Sequence, residues 1–296
     1  MRGAAAPFWH AEASDGVNCP PKQGGLRWLR RGVVMETTAD DVLLQFCRSP
    51  RTHNEYRQWE QDSRRREVVP VVRGHVVRVV YEATSADVER ICRRTEHALG
   101  EVRRKDGEAV RSIVDWHPDF AFTQMFHICM ERLGTPPTYQ DFRSFAENDR
   151  LGNRMISTPA RAKVSEVIRS GVPESLAKDA MRWRIGNAYY SFLREIYSVV
   201  ELRKRGVPLQ MHPLADALFR VDAWTRQVAL SLRVKNEKFR EGQRGRKRPA
   251  ADLLADLRPP IEFTDVELQP AAVYGRVHLP TQEQLDETAV ALLSRE

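Results

Sequence analysis

The feature that most constrains the fold is a change of hydrophobic period at Gly206. The preceding residues 174–205 have the spacing of one long helix, or of two helices joined at Gly186. The following residues 207–236 have strand character and end as a hairpin, LFRVDAW and VALSLRVK, around a turn at residues 225–227. The chain therefore predicts an α+β fold, in which a helical N-terminal and middle region precedes a small mixed β-sheet with flanking helices.

Shorter elements are predicted on both sides of this segment. Residues 67–85 contain valine-rich stretches around an Arg–Gly–His turn, which predicts a strand, a turn and a strand. Ser85 is then expected to cap a helix that continues to about Arg104. Glycine and proline residues at positions typical of helix ends predict further helices at residues 117–134, 135–149 and 158–169. The C-terminal part predicts a helix at about 251–257, strands within 261–268 and 273–279, and a final helix from about Gln282.

The chain divides into three predicted parts. Residues 1–34 are rich in Gly, Ala and Pro without periodicity, which is typical of a disordered tail. Met35 is accordingly an alternative start, with the preceding residues read from an upstream codon. A mainly helical domain with one β-hairpin is expected over residues 35–170. An α+β domain, which could be nuclease-like, is expected over residues 171–296.

Composition excludes several classes of protein. Hydrophobic residues make up 42% and charged residues 29% of the chain, as in a folded globular protein. No apolar run approaches the roughly 20 residues that cross a bilayer, so no membrane partner is expected. The four cysteines form no CxxC pair, which disfavours disulfides and zinc and, without an export signal, predicts a cytoplasmic location. The sequence has no P-loop, GxGxxG or GxSxG motif, which disfavours ATPases, dehydrogenases and hydrolases with a nucleophile elbow.

The charge balance indicates a polyanionic partner. The net charge is +7, and arginine far outnumbers lysine. The planar guanidinium group of arginine can bind phosphate through two parallel hydrogen bonds. A basic segment, residues 236–248, carries much of this charge on Lys238, Arg240, Arg244, Arg246, Lys247 and Arg248. Gly242 and Gly245 would let it follow a phosphate backbone. The sequence therefore predicts a nucleic-acid contact here, DNA being favoured; the alternative is a solvated basic loop.

A second nucleic-acid contact is predicted on the long helix. Arg182 and Arg184 flank Trp183 on a helix that begins after a Gly–Val–Pro turn, in an arrangement similar to a helix-turn-helix. A recognition helix needs basic residues on its exposed face. Both arginines are therefore candidate nucleic-acid-binding residues, with simple helix packing as the alternative.

Acidic and basic residues around the hairpin predict a metal-dependent chemistry. A helix with Glu195 and Glu201 comes first, followed by a strand with Asp222 and a strand that ends in Lys235. Two carboxylates can hold a divalent ion beside a phosphate, and a lysine adds positive charge there. This order, over residues 187–240, resembles the PD-(D/E)XK, or restriction-endonuclease-like, superfamily. The resemblance implies that the helix glutamate and Asp222 bind Mg²⁺ and that Lys235 orients the attacking water.

Helix periodicity distinguishes the two glutamates. At about 100° per residue, Glu195 lies beside an apolar stripe that includes Phe192 and Ile196, and Glu201 lies on the opposite face. The predicted catalytic residues are therefore Glu195, Asp222 and Lys235, and the predicted metal ligands are Glu195 and Asp222.

One position departs from the superfamily pattern and leaves the function open. The acid expected two residues before the lysine is Arg233, which would repel a cation. The first hypothesis is therefore a nucleic-acid-binding protein or a subunit of a DNA-processing complex, from a mobile element or a phage-defence system, with a degenerate nuclease-like fold. The second is a Mg²⁺-dependent DNA endonuclease. The third is a scaffold whose basic loop binds an acidic protein partner.

Overall fold

A computed structural model describes residues 35–94, 96–234, 250–268, 272–274 and 277–296. The predicted tail, the basic segment and Lys235 lie outside these described residues. The helices are α1 Ala39–Phe46, α2 Pro50–Gln61, α3 Val68–Arg73, α4 Val79–Glu82, α5 Ser85–Arg94, α6 Arg104–Gly107, α7 Arg111–Val114, α8 Phe122–Leu133, α9 Tyr139–Asn148, α10 Arg150–Gly152, α11 Thr158–Arg169, α12 Glu174–Lys204, α13 Pro213–Phe219, α14 Ala250–Leu254 and α15 Gln282–Leu293.

Within the described ranges, three small sheets accompany these helices. The strands are β1 Thr37–Thr38, β2 Val76–Val77, β3 Ala223–Trp224, β4 Val228–Val234, β5 Glu262–Leu268, β6 Ala272–Tyr274 and β7 Val277–Leu279. β1 pairs with β2 and β6 with β7, both antiparallel. The main sheet has the order β3-β4-β5, in which β4 is antiparallel to β3 and parallel to β5. The predicted α+β class, mostly helical with a small mixed sheet, is confirmed.

Helix α12 organises the core. It runs for 31 residues without a break and contacts α5, α6, α8, α11 and α15. Gly186 does not interrupt it; a Cβ at this position would lie 2.7 Å from Leu99 Cδ2, so the glycine permits close packing of the preceding loop. Phe192 stacks on Phe126 of α8 with ring centroids 5.2 Å apart. Gly206, with φ 90°, follows the helix end as predicted.

Capping residues explain where several of these helices begin and end. Thr38 caps α1 through a reciprocal pair of bonds with Asp41, and Gly134 takes the left-handed conformation after α8. Helices α9, α11, α14 and α15 and strands β5, β6 and β7 lie in the predicted segments. None of the helices in the described ranges combines the length and the apolar character that crossing a bilayer requires.

The strand–turn–strand prediction for residues 67–85 is wrong, and with it the β-hairpin expected in the N-terminal part. Val68–Arg73 and Val79–Glu82 are helices, and only the two residues of β2 lie between them as a strand. Pro70 is compatible with a helix here because the first-turn N–H groups have no intrahelical acceptor. Val68 and Val72, one turn apart, are both buried, so tertiary packing overrides the strand preference of valine.

Two further boundaries differ from the prediction. Helix α5 ends at Arg94 rather than near Arg104, and the hydroxyl of Thr84, not of Ser85, accepts the Asp87 N–H at 3.2 Å. Residues 213–219 form helix α13 instead of a strand, because Pro213 occupies the first turn after a capping residue. The hairpin itself is confirmed, as β3 and β4 pair around the predicted turn.

Candidate nucleic-acid site

Asp222 is fixed at the edge of the main sheet, immediately before β3. Its N–H donates to the carbonyl of Leu230 at 2.9 Å. Its carboxylate accepts the N–H of Leu232 at 2.6 Å. The side chain thus takes the place of a backbone acceptor where β3 no longer pairs with β4, and the carboxylate is held near the carboxyl-terminal half of β4.

Glu195 of α12 faces the same region. Its side chain is partly buried, and burial is the main cause that raises the pKa of this carboxyl well above its ordinary value. The negative charges of Asp222 and Asp216 raise this pKa further, and Arg194 lowers it. The structure therefore brings Glu195 and Asp222 within electrostatic reach of one another, with a third acidic residue beside them.

This third residue, Asp216, was not expected from the sequence. It lies in the first turn of α13, and its carbonyl accepts the N–H of Arg220 at 3.0 Å. The segment was predicted as a strand, which would have placed its side chain elsewhere. A signal was nevertheless present, since Pro213 followed by Leu214 and Leu218 has helical spacing. We refer to Glu195, Asp216 and Asp222 as the acidic cluster.

A buried histidine holds the start of α13 in place. His212 Nδ1 accepts the N–H of Leu214 at 3.0 Å, and its Nε2 donates to the carbonyl of His75 at 3.1 Å. The His75 ring lies 5.6 Å from that of His212 and 6.2 Å from that of His127. Because both nitrogens of His212 are engaged, these three rings cannot act together as metal ligands.

The acidic cluster is not a preformed three-ligand metal centre. Within the described ranges, no group of three or more His, Cys, Asp and Glu side chains is arranged to hold a metal ion. Mg²⁺, however, commonly uses one or two carboxylates and takes its remaining ligands from water and substrate phosphate. The influence of Asp222 on the pKa of Glu195 shows that the two carboxyl groups interact electrostatically, and their role as a pair of Mg²⁺ ligands stays a prediction.

The polarity of the sheet determines what lies next to the cluster. β4 and β5 are parallel, and the pairing of Val234 with Leu268 ends both strands at the same edge. Lys235 and the basic segment follow Val234 directly in the chain. Backbone register also pairs Glu267 of β5 with position 233, so an acidic residue lies beside the position where the superfamily pattern has one.

No protein-family model, curated protein or solved structure matches this chain. The resemblance to the PD-(D/E)XK superfamily therefore rests on the residues named above and stays a prediction.

Glu201, the other candidate glutamate, is engaged elsewhere. It is 1% exposed and forms an ion pair with Arg205, and its carboxylate lies 3.6 Å from the Lys204 Nζ. Arg205 in turn bonds Asp286 of α15 at 2.6 Å. These contacts give Glu201 a role in joining α12 to α15.

The two arginines predicted as a second nucleic-acid contact are bound to the protein's own backbone. Arg182 Nε donates to the carbonyl of Ala98 at 3.0 Å. Arg184 donates through Nε and Nη2 to the carbonyl of Trp116, both at 3.3 Å, and lies 4.9 Å over the ring of Phe122. The contacts favour helix packing, the alternative reading of this segment, because α12 is a central helix and does not present these guanidinium groups as a free face.

Proposed function

We propose that this chain binds nucleic acid, with DNA favoured, at the carboxyl edge of β4 and β5. The observation that carries the proposal is the bond from Leu232 N–H to the Asp222 carboxylate, which fixes this carboxylate three positions before Lys235 along the chain. The basic segment, residues 236–248, starts directly after that lysine. Positive charge that can neutralise phosphate therefore follows in the chain directly after the strand whose end carries the Asp222 carboxylate, which could share a cation with phosphate. We place the protein in the cytoplasm, acting alone or as a subunit of a DNA-processing complex.

The electrostatics of the cluster are compatible with a phosphate partner. Fully ionised carboxylates would repel phosphate, but the raised pKa of Glu195 keeps this carboxyl protonated to a larger extent than an ordinary glutamate. Protonation removes one of the negative charges. A divalent cation would have the same effect with a larger gain, since it would bind both the carboxylates and the phosphate. Nucleic-acid binding at this edge is therefore expected to be coupled to pH and to Mg²⁺.

The proximity of Glu195 to Asp222 favours a second candidate function, Mg²⁺-dependent DNA cleavage. The two carboxylates would hold the ion, which would supply a more acidic water and charge neutralisation at the phosphate. Lys235 would act from the end of β4. A Mg²⁺-dependent nicking activity that disappears in Asp222→Asn, without loss of folding, would support this function.

Neutralising the basic segment tests the proposal most simply. The test variant combines Arg244→Gln, Arg246→Gln, Lys247→Gln and Arg248→Gln. The matched control neutralises three arginines and one lysine that form local ion pairs on the surface: Arg64, Arg104, Arg111 and Lys178. Affinity for a labelled duplex is measured by fluorescence anisotropy over a series of salt concentrations.

We expect the test variant to lose at least tenfold in affinity at moderate salt, and its salt dependence to flatten by up to about four in log–log slope. The control variant should change little. Equal behaviour of the two variants would overturn the proposal. If the test variant instead kept its DNA affinity and lost a co-purifying acidic protein, the third hypothesis, a scaffold for an acidic protein partner, would be supported.

A further inference from the structure

A cavity lined in part by basic residues lies at the start of α2. A cavity of about 570 Å³ opens at the surface and is lined by residues 47–50 together with His53, Asn54 and Arg57. His53, Asn54 and Arg57 share one face of α2, while Tyr56 and Trp59 on the opposite face are buried in the core. The cavity is therefore built by the solvent side of a well-anchored helix and by the α1–α2 connection.

The groups that line this cavity are donors and cations. The guanidinium groups of Arg48 and Arg57 and the ring of His53 contribute to the wall, and no lining residue is acidic. Arg48 Nε donates to the carbonyl of Gln45 at 2.8 Å, which fixes the side chain and leaves its terminal nitrogens for another acceptor. Within the described part of the chain, neither arginine forms an ion pair with a carboxylate.

One hydrogen bond orders the cavity wall, and the thiol beside it is uncharged. His53 Nδ1 donates to the carbonyl of Cys47 at 3.0 Å, which ties the ring to the opposite side of the cavity. The Cys47 thiol stays neutral, since burial raises its pKa to about 11 despite the nearby charge of Arg73. The cavity therefore receives no negative charge from its cysteine.

The first turn of α2 contributes little to this site. Pro50 has no N–H, and the N–H of Thr52 is already bound by the hydroxyl of Ser49. Any anion must therefore be held by the side chains. Arginine guanidinium groups suit an oxyanion with several oxygens, because each can donate two parallel bonds.

We propose that this cavity binds a phosphate group through Arg48, Arg57 and His53. The cavity shares no lining residue with the acidic cluster, and the proposal does not depend on the function proposed above. Its position nevertheless relates to the basic segment: α14, which follows that segment, packs against α2, and Arg51 of α2 lies 3.6 Å from Asp256 just beyond α14. A phosphate bound here could be free or could belong to the end of a nucleic acid.

Calorimetric titration of the full chain with inorganic phosphate and with pyrophosphate tests the site directly. The test variant is Arg48→Gln with Arg57→Gln, and the control is Arg111→Gln, an exposed helical arginine outside the cavity. We expect the test variant to lose about tenfold or more in affinity for pyrophosphate and the control to match the original protein. Thermal unfolding of all proteins verifies that the exposed substitutions leave the fold intact.

The source of the phosphate is separated by two oligonucleotides of the same sequence, one with a 5′ phosphate and one with a 5′ hydroxyl. A preference for the phosphorylated strand that disappears in the test variant assigns the cavity to a nucleic-acid end. Loss of pyrophosphate binding without such a preference assigns it to a free phosphate. Equal titration curves for the original protein and the test variant would overturn the proposal, whatever the basic segment does.

Discussion

The carboxylate of Asp222 accepts the backbone N–H of Leu232 at 2.6 Å, across the point where β3 stops pairing with β4. The Asp222 side chain therefore has two roles. It accepts a hydrogen bond from the sheet, and it adds negative charge near Glu195. Substitutions that remove the charge but keep the hydrogen-bond acceptor should distinguish these roles.

Asp222→Ala and Asp222→Asn are expected to differ in stability. Alanine leaves the Leu232 N–H without its acceptor, at a cost of about 1–3 kcal/mol in the free energy of unfolding. Asparagine retains a carbonyl oxygen for the bond and removes only the charge, so it should cost less. Urea denaturation of both variants measures the difference. Equal destabilisation would mean that the bond makes no contribution.

Glu195→Gln is expected to stabilise the protein above about pH 5. Since the folded-state pKa of Glu195 is raised, the native state holds this proton more tightly than the unfolded chain does. The free energy of unfolding therefore falls as pH rises through the ordinary glutamate range toward the raised pKa. Glutamine removes this loss, so the variant should be more stable than the original protein at pH 8 and should differ least from it at pH 4. Urea midpoints from pH 4 to pH 8 provide the measurement, and a parallel fall in both proteins would contradict the prediction.

Acid should destabilise the fold through the three buried histidines. Burial lowers the pKa of His75 to about 3 and of His212 to about 4, and lowers that of His127 well below its ordinary value. The unfolded chain takes up these protons first, so stability is present above about pH 6.5 and is lost as pH falls toward 4. Each group should account for roughly 2 kcal/mol at pH 5.

His127→Leu checks this contribution, because leucine fills much of the same space without titrating. The dependence of the urea midpoint on pH between 7 and 5 should be shallower in the variant. His278→Leu, at an exposed position, is the matched control. If the slopes of His127→Leu and the original protein coincide, the buried ring does not contribute to acid sensitivity.

Arg184→Gln should affect stability and leave nucleic-acid binding unchanged. The substitution removes the bonds to the Trp116 carbonyl and the contact with the Phe122 ring, at a cost of about 1–3 kcal/mol. Thermal unfolding measures this loss, and anisotropy with labelled DNA measures binding at a temperature where the variant is folded. A clear loss of DNA affinity by the folded variant would instead support the prediction that α12 is a recognition helix.

The fold could be predicted from the sequence wherever a long period or a capping residue determined the local structure. The unbroken helix before Gly206 and the hairpin that includes Asp222 are examples. Short apolar runs were ambiguous. Val68–Arg73 is rich in valine, which favours strands, but forms a helix that buries one face. Pro213–Phe219 has helical spacing, but it is short and lies next to a strand-like segment.

The site was predictable only in part, because proximity depends on the tertiary fold. Periodicity selected Glu195 over Glu201 by its face on α12, and the structure brings Glu195 and Asp222 together. Asp216 was missed with the helix that carries it. The cavity on α2 has no sequence motif, since it forms where the α1–α2 connection meets one face of α2.

The central claim is that the acidic cluster and the basic segment contact the same bound nucleic acid. A double-mutant cycle tests it, combining Asp222→Asn with the milder neutralisation Arg244→Gln and Arg246→Gln. The measured quantity is the duplex affinity without and with Mg²⁺. Without Mg²⁺, Asp222→Asn should strengthen binding, and the gain should shrink when the segment is neutralised, with a coupling of at least about 0.5 kcal/mol. Mg²⁺ should abolish or reverse the gain. The account would be contradicted if the changes in binding free energy of the two sets of substitutions added within about 0.3 kcal/mol and were the same with and without Mg²⁺.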